Sequence, residues 1–431
     1  QLILDLRGDG WKVLRSDVSR TASVTSVKAI IQGHYNSDPT NVKALYLLGH
    51  VPAPYSGNVY PDGHDDARGA RPTDGYYADM DGTWTDNSVN VTVSSHQRTW
   101  NTPGDGKFDQ SDFPSSLELQ VGRVDMYDMP AFGTTELQLM RNYLNKAHGY
   151  KTKSWEANPR GIVIDNLQWL GNPVAASGMR MAPLTGNSDL FVNPAFGSFG
   201  SYVNGQSFLW TYHCGGGLQA VDNGVVTYNG TDGGTTTQEL ASSVTMGGVF
   251  NMALGSFFLD WDSRNNFLRA IIARGDGLTN CWAGIPAWYF HHMGMGENIG
   301  YSVRQTMNNT GLYTPLTEGW QSTIGRTHLG LMGVHMDGFG RERFWLSPVS
   351  VRQQRIDHTH HRQPGGGHQS RGSGDPVRGG SRLHGACSEA RDQCERQLQE
   401  PIPGGDRHVN GCGSTGLPRR NRWNSYGRIE L

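Results

Sequence analysis

The sequence predicts an α/β protein: an open, mostly parallel sheet in two α/β halves, with helices on both faces. Two observations carry this. Short apolar runs that end in glycine or a polar residue alternate with amphipathic segments. Several of the runs are apolar on both faces, as strands of a covered parallel sheet must be. The elements follow in order. Leu2 to Leu6 reads as a helix end closed by Gly8-Asp9-Gly10, followed by an extended Trp11–Asp17. Ser23 caps an amphipathic segment reaching Tyr35. Val42–Leu48 is a buried strand, and His50 to Arg71 a long Gly-, Pro- and Asp-rich loop of the kind that usually carries function. Leu117–Val124 reads as a strand, and Pro130 as the first turn of a helix running to Ala147. In the second half Gly161–Asp165, Ser207–Tyr212 and Gly248–Leu254 read as strands, with helices at Arg264–Ala273 and Pro286–Met307.

Three segments are expected: an N-terminal α/β subdomain at 1–155, a C-terminal α/β subdomain at 156–333, and a tail at 334–431. The tail stands apart in composition. Residues 351–431 hold 13 Arg, no Lys and 8 Asp+Glu, together with Cys387, Cys394 and Cys412. With Trp423 and Tyr426 the only aromatics of residues 351–431, the tail has too little apolar surface to offset the entropy of ordering. It is therefore expected to be disordered, or to be the product of a shifted reading frame beginning near Gly333. The whole chain has 37 Lys+Arg against 39 Asp+Glu, which leaves no basic field for nucleic acid. No apolar run reaches the ~18 residues of a membrane span. The chain starts at Gln1 without a basic-then-apolar leader, so the expectation is a fragment or processed form with any signal peptide outside it.

Reactive groups in open α/β sheets gather just beyond the carboxyl ends of strands. His213 stands at such an end, before Cys214-Gly215-Gly216-Gly217, where glycine-turn amides could form an oxyanion site beside a general base. The plainer reading is a strand-end histidine bonded to a loop. The next strand ends at Ala253-Leu254-Gly255-Ser256. A cysteine would suit this position, because a paired thiolate forms easily at neutral pH, but the residue is Leu254. Ser256 is a weaker candidate, a nucleophile only if a base lies within reach and otherwise a turn residue.

These residues, with others, resemble the gingipain-type cysteine peptidases, relatives of the caspases, over roughly residues 40 to 333. Ala44–Pro52 resembles that family's strand and following turn. Thr73-Asp74-Gly75-Tyr76-Tyr77, with Asp79 to Gly82, is similar to its Asp-x-Tyr-Tyr block, and Val121-Gly122-Arg123 resembles its Val-Gly-Arg strand. The resemblance implies a caspase/gingipain-like sheet and a cysteine-type peptidase (a hydrolase). Its catalytic His would fall on His213 and its nucleophile on Leu254. The spacing of 41 residues is near the ~50 from His to Cys in caspases. The family's glycine after the histidine is Cys214 here, a thiol expected to be buried and to point to the opposite face.

The fold thus reads as inherited and the chemistry as broken. Two hypotheses follow: proteolysis of polypeptide substrates through His213, or a degenerate pseudoenzyme that binds polypeptide or serves a structural role in a secreted protein. A carbohydrate-binding role rests only on the surplus of Trp and Tyr. The resemblance further implies a secreted, periplasmic or cell-surface location and structural calcium, for which the acidic-glycine loops offer Asp79, Asp81, Asp86, Asp105 and Asp109 as oxygen ligands. Metal readings of His291-His292 with Glu297, and of His358, His360 and His361 with the tail cysteines, lack a standard spacing.

Overall fold

The computed structural model describes residues 1–60, 62–167, 178, 185, 190–192, 197–223, 225–231, 235–282, 288–309, 326–328, 330–333 and 426–430. The strands in chain order are β1 (Arg15–Ser19), β2 (Ala44–Leu48), β3 (Tyr55–Val59), β4 (Gly69–Pro72), β5 (Gln120–Val124), β6 (Gly161–Asp165), β7 (Leu190–Val192) and β8 (Phe208–Cys214). They continue with β9 (Gly217–Asp222), β10 (Val225–Thr231), β11 (Thr235–Thr236), β12 (Gly248–Leu254), β13 (Thr279–Trp282), β14 (Leu331–Gly333) and β15 (Tyr426–Glu430).

Ten of these form one sheet in the order β1-β15-β2-β5-β14-β13-β12-β8-β6-β7. Six of its nine pairings are parallel. The expected mixed α/β architecture with a mostly parallel sheet is therefore present. The two halves share this sheet, because β14 runs parallel to β5 on one side and antiparallel to β13 on the other. Within it β8 is buried along its whole length, and β12 is buried up to Leu254. Apolar, β-branched and aromatic residues with covered faces supply this: Ile162-Val163-Ile164 in β6 and Val249-Phe250 in β12.

α1 (Leu2–Gly8) begins without a side-chain cap, whereas at the start of α2 (Val24–Ser37) Ser23 Oγ accepts from Ser26 N at 3.1 Å and satisfies a free amide. After the short α3 (Gly75–Ala78), Thr135 caps α4 (Glu136–Lys151). The expected helix from Pro130 is instead a 3₁₀ turn, Pro130–Phe132, ended by Gly133 at φ +60°. The proline set the turn, and the left-handed glycine stopped it before Thr135 could cap a new helix. A second reading also changes. Between Trp288 and Met307 there is no continuous helix: a 3₁₀ segment, His291–Met295, ends at Gly296 with φ +91°. Asn298 then caps a separate helix, Ile299–Met307.

The long loop after β2 contains β3 and β4, an antiparallel pair that the glycine-rich sequence concealed. A second antiparallel sheet, β11-β10-β9, follows the strand that carries His213. In the C-terminal stretch from 334 onward, residues 426–430 form β15 between β1 and β2. The rest of that stretch, including Cys387, Cys394, Cys412 and the tail histidines, lies outside the described residues. No described helix is long and apolar enough to cross a membrane.

Candidate functional site at the carboxyl edge of the sheet

The strands carrying the candidate residues are neighbours. β8 and β12 run parallel, with His213 beside Ala253 and Cys214 beside Leu254. On the other side β6 places Ile164 beside His213 and Asp165 beside Cys214. Residues level with one another across a sheet share a face, and successive residues alternate. His213 therefore lies on the Ala253 face, while Leu254 lies on the Cys214 face. The structure brings the two strand ends together but sends the side chains of His213 and Leu254 to opposite faces.

His213 is also sealed. It is fully buried, packed at 5.2 Å from the Phe199 ring, and neither ring nitrogen has a hydrogen-bond partner among the described residues. Burial pushes its pKa down to about 4; the Leu254 carbonyl offsets part of this shift, although it lies outside hydrogen-bonding geometry. A neutral, buried imidazole of this kind cannot collect a proton from a nucleophile that solvent delivers.

Cys214 is no better placed. Its Sγ donates to Asp165 Oδ1 at 3.1 Å, and burial together with that carboxylate raises the thiol well above its ordinary value. Cys281 is a free, buried thiol beside Met252, likewise pushed up by burial. Neither is a ready thiolate.

Ser256 opens the turn directly after β12, and here the structure adds what the sequence did not show. Its Oγ lies 3.0 Å from Nε2 of His64, a residue of the loop between β3 and β4. The His64 ring stacks on Phe257 at 5.3 Å. Asp62 holds both sides, accepting from the His64 amide at 3.4 Å and from the Phe257 amide at 3.2 Å. Nothing in spacing marked His64, because 192 residues separate it from its partner.

A second imidazole was missed for the same reason. His50, just past β2, contacts Asp125 Oδ2 through Nδ1 at 2.9 Å and stacks on Tyr127. Burial alone would raise Asp125, but His50, Arg269 and Arg123 outweigh it and hold the carboxyl well below its usual range.

The acidic loops do not fit calcium. Asp109 accepts from the amides of Asn87, Ser88 and Val89 and from the Thr85 hydroxyl. Burial works against ionisation there, yet those hydrogen bonds keep its pKa below the carboxylate range. Asp86 accepts from Gly104 and Gly106, and Asp105 from Thr102 and from both nitrogens of Lys107. Asp79 is taken by Gly82, Trp84 and Ser115. Their oxygens face N–H and O–H donors, whereas a cation needs lone pairs turned toward it. Asp81 stands at the exposed turn beside them. Among the described residues no group of three or more His, Cys, Asp or Glu is placed to hold a metal ion.

No family model, curated protein or solved structure matches the chain.

Proposed function

We propose that the chain has a caspase/gingipain-like peptidase fold that has lost cysteine-dependent cleavage and acts as a polypeptide-binding module of a secreted protein. One observation carries the reading: parallel neighbours β8 and β12 carry His213 and Leu254 at their carboxyl ends, the two positions at which the resemblance requires base and nucleophile. The sealed imidazole, without a hydrogen-bond partner among the described residues and on the face opposite Leu254, supports loss of the chemistry. Leu254 itself is half-buried at the strand end, and an aliphatic surface there suits contact with an extended peptide.

The test pairs binding with turnover. Fluorescence anisotropy against a fluorescein-labelled peptide library is expected to show binding that Leu254→Glu weakens at least tenfold. A fluorogenic peptide library is expected to show no cleavage that iodoacetamide abolishes. Absence of any peptide binding, or alkylation-sensitive cleavage by the unaltered protein, would overturn the reading.

A further inference from the structure

We infer that Ser256 and His64 form a serine-type acyl-transfer dyad acting on carboxylic esters. This goes beyond the polypeptide-binding reading and does not depend on it. Four observations converge on the pair. Ser256 stands where a parallel strand, β12, delivers residues to the carboxyl edge of the sheet. Its hydroxyl lies 3.0 Å from a ring nitrogen, within reach for direct proton transfer.

Its backbone is held rigidly. Phe257, the next residue, has φ +69°, a left-handed conformation costly for a bulky side chain. Gly217 packs so closely that a methyl group there would lie 2.2 Å from the Ser256 carbonyl oxygen. Finally, Asp62 ties the backbone of His64 to that of Phe257, so base and nucleophile are fixed to one another through a carboxylate as well as through their own bond.

A second serine–imidazole pair shows what a plain surface contact looks like. Ser16 and His34 also approach to 3.0 Å, but Ser16 lies within the edge strand β1 rather than in the turn after a strand, and no left-handed residue stands beside it. Strain and pinning at a nucleophile have a use, because they hold the reacting atoms close to productive geometry.

The chemistry balances with water as the only co-reactant. Ser256 Oγ bonds to the acyl carbon as its proton passes to His64 Nε2. The tetrahedral intermediate expels the alcohol, which takes that proton as the ester C–O bond breaks. Water, deprotonated by the same nitrogen, then attacks the acyl-serine, releasing the carboxylic acid and restoring the hydroxyl. No described carboxylate hydrogen-bonds to Nδ1 of His64 to support the imidazolium, which favours esters with good leaving groups over amides.

The experiment uses the full chain, a fluorophosphonate probe and p-nitrophenyl acetate. One covalent adduct is expected, on the peptide containing Ser256, and none on the peptide containing Ser16. Ser256→Ala and His64→Asn should each lower labelling and ester turnover by about 100-fold, whereas Ser16→Ala should leave both unchanged. To separate chemistry from folding, Ser256→Cys is compared with Ser256→Cys/His64→Asn: iodoacetamide should alkylate the first at least tenfold faster. No adduct, an adduct elsewhere, or equal reactivity with and without His64 would overturn the inference. Peptide binding has no part in this readout, so the two proposals fail separately.

Discussion

His213 and Arg123 show how differently two residues of one resemblance behave. His213 is neutral in the fold, with a pKa near 4 against 6.5 for an ordinary imidazole. Above pH 6.5 folded and unfolded chains are both unprotonated there. As the pH falls, the unfolded imidazole takes up a proton first, so stability declines from about pH 6.5 and levels off near pH 4. The full loss is about 3 kcal/mol at 1.36 kcal/mol per unit. Urea unfolding between pH 7 and pH 4 should show a shallower decline in His213→Phe than in the unaltered protein; parallel curves would mean that the imidazole is not buried neutral. Arg123 is a structural counterpart. It forms a bidentate pair with Asp74 at 2.9 and 2.7 Å, donates to the Val51 carbonyl, and lies over Trp261. The three motif stretches that suggested a family thus meet in one buried ion pair. Asp74→Ala should cost about 3–5 kcal/mol in chemical denaturation by stranding the guanidinium, and Asp74→Leu/Arg123→Met should cost less than that single change.

Elements were legible to the extent that their signals were local. β6 and β12 were placed to the residue, because a continuous apolar run bounded by glycine leaves little choice. Ser23 marked α2 because a cap is a one-residue signal. Long-range geometry was not legible: β3 and β4 pair inside a segment that reads as loop, and β14 is three residues whose partners, β5 and β13, come from distant parts of the chain. The acidic loops are ambiguous in sequence for a related reason. Alternating aspartates around glycine look the same in sequence whether they face a cation or a ring of amides, and only the fold decides. At Asp109 the carboxylate is the knot joining residues 85–89 to strand-proximal residues near 108. Replacing it by Asn removes acceptor capacity and should lower stability by about 1–2 kcal/mol. Millimolar calcium should leave the Tm of the unaltered protein unchanged in differential scanning fluorimetry; a rise that Asp109→Asn abolishes would restore the calcium assignment.

At the scale of the whole molecule, the sheet depends on both ends of the chain. β15 lies antiparallel to β1 and to β2, so among the described residues it alone links β1 to the rest of the sheet. Its register is continuous on both sides, Arg15 to Ser19 facing Glu430 to Tyr426 and Tyr46 to Leu48 facing Glu430 to Arg428. Composition pointed the other way: a lysine-free, arginine-rich stretch with few aromatics has little reason to order. A five-residue strand needs little, however, because its backbone groups find partners on two sides and β2 offers a largely buried apolar row. Removing residues 426–431 should leave the inner edge of β1 and the outer edge of β2 with unpaired amides and carbonyls. Exposed edges of this kind recruit other chains. The truncated protein should therefore show a lower Tm, loss of hydrogen-exchange protection at Ser16, Val18 and Leu47, and concentration-dependent association by light scattering. Unchanged protection and a monomer at all concentrations would mean that the last strand does not complete the sheet, and would favour the shifted-frame origin of the segment from which it comes.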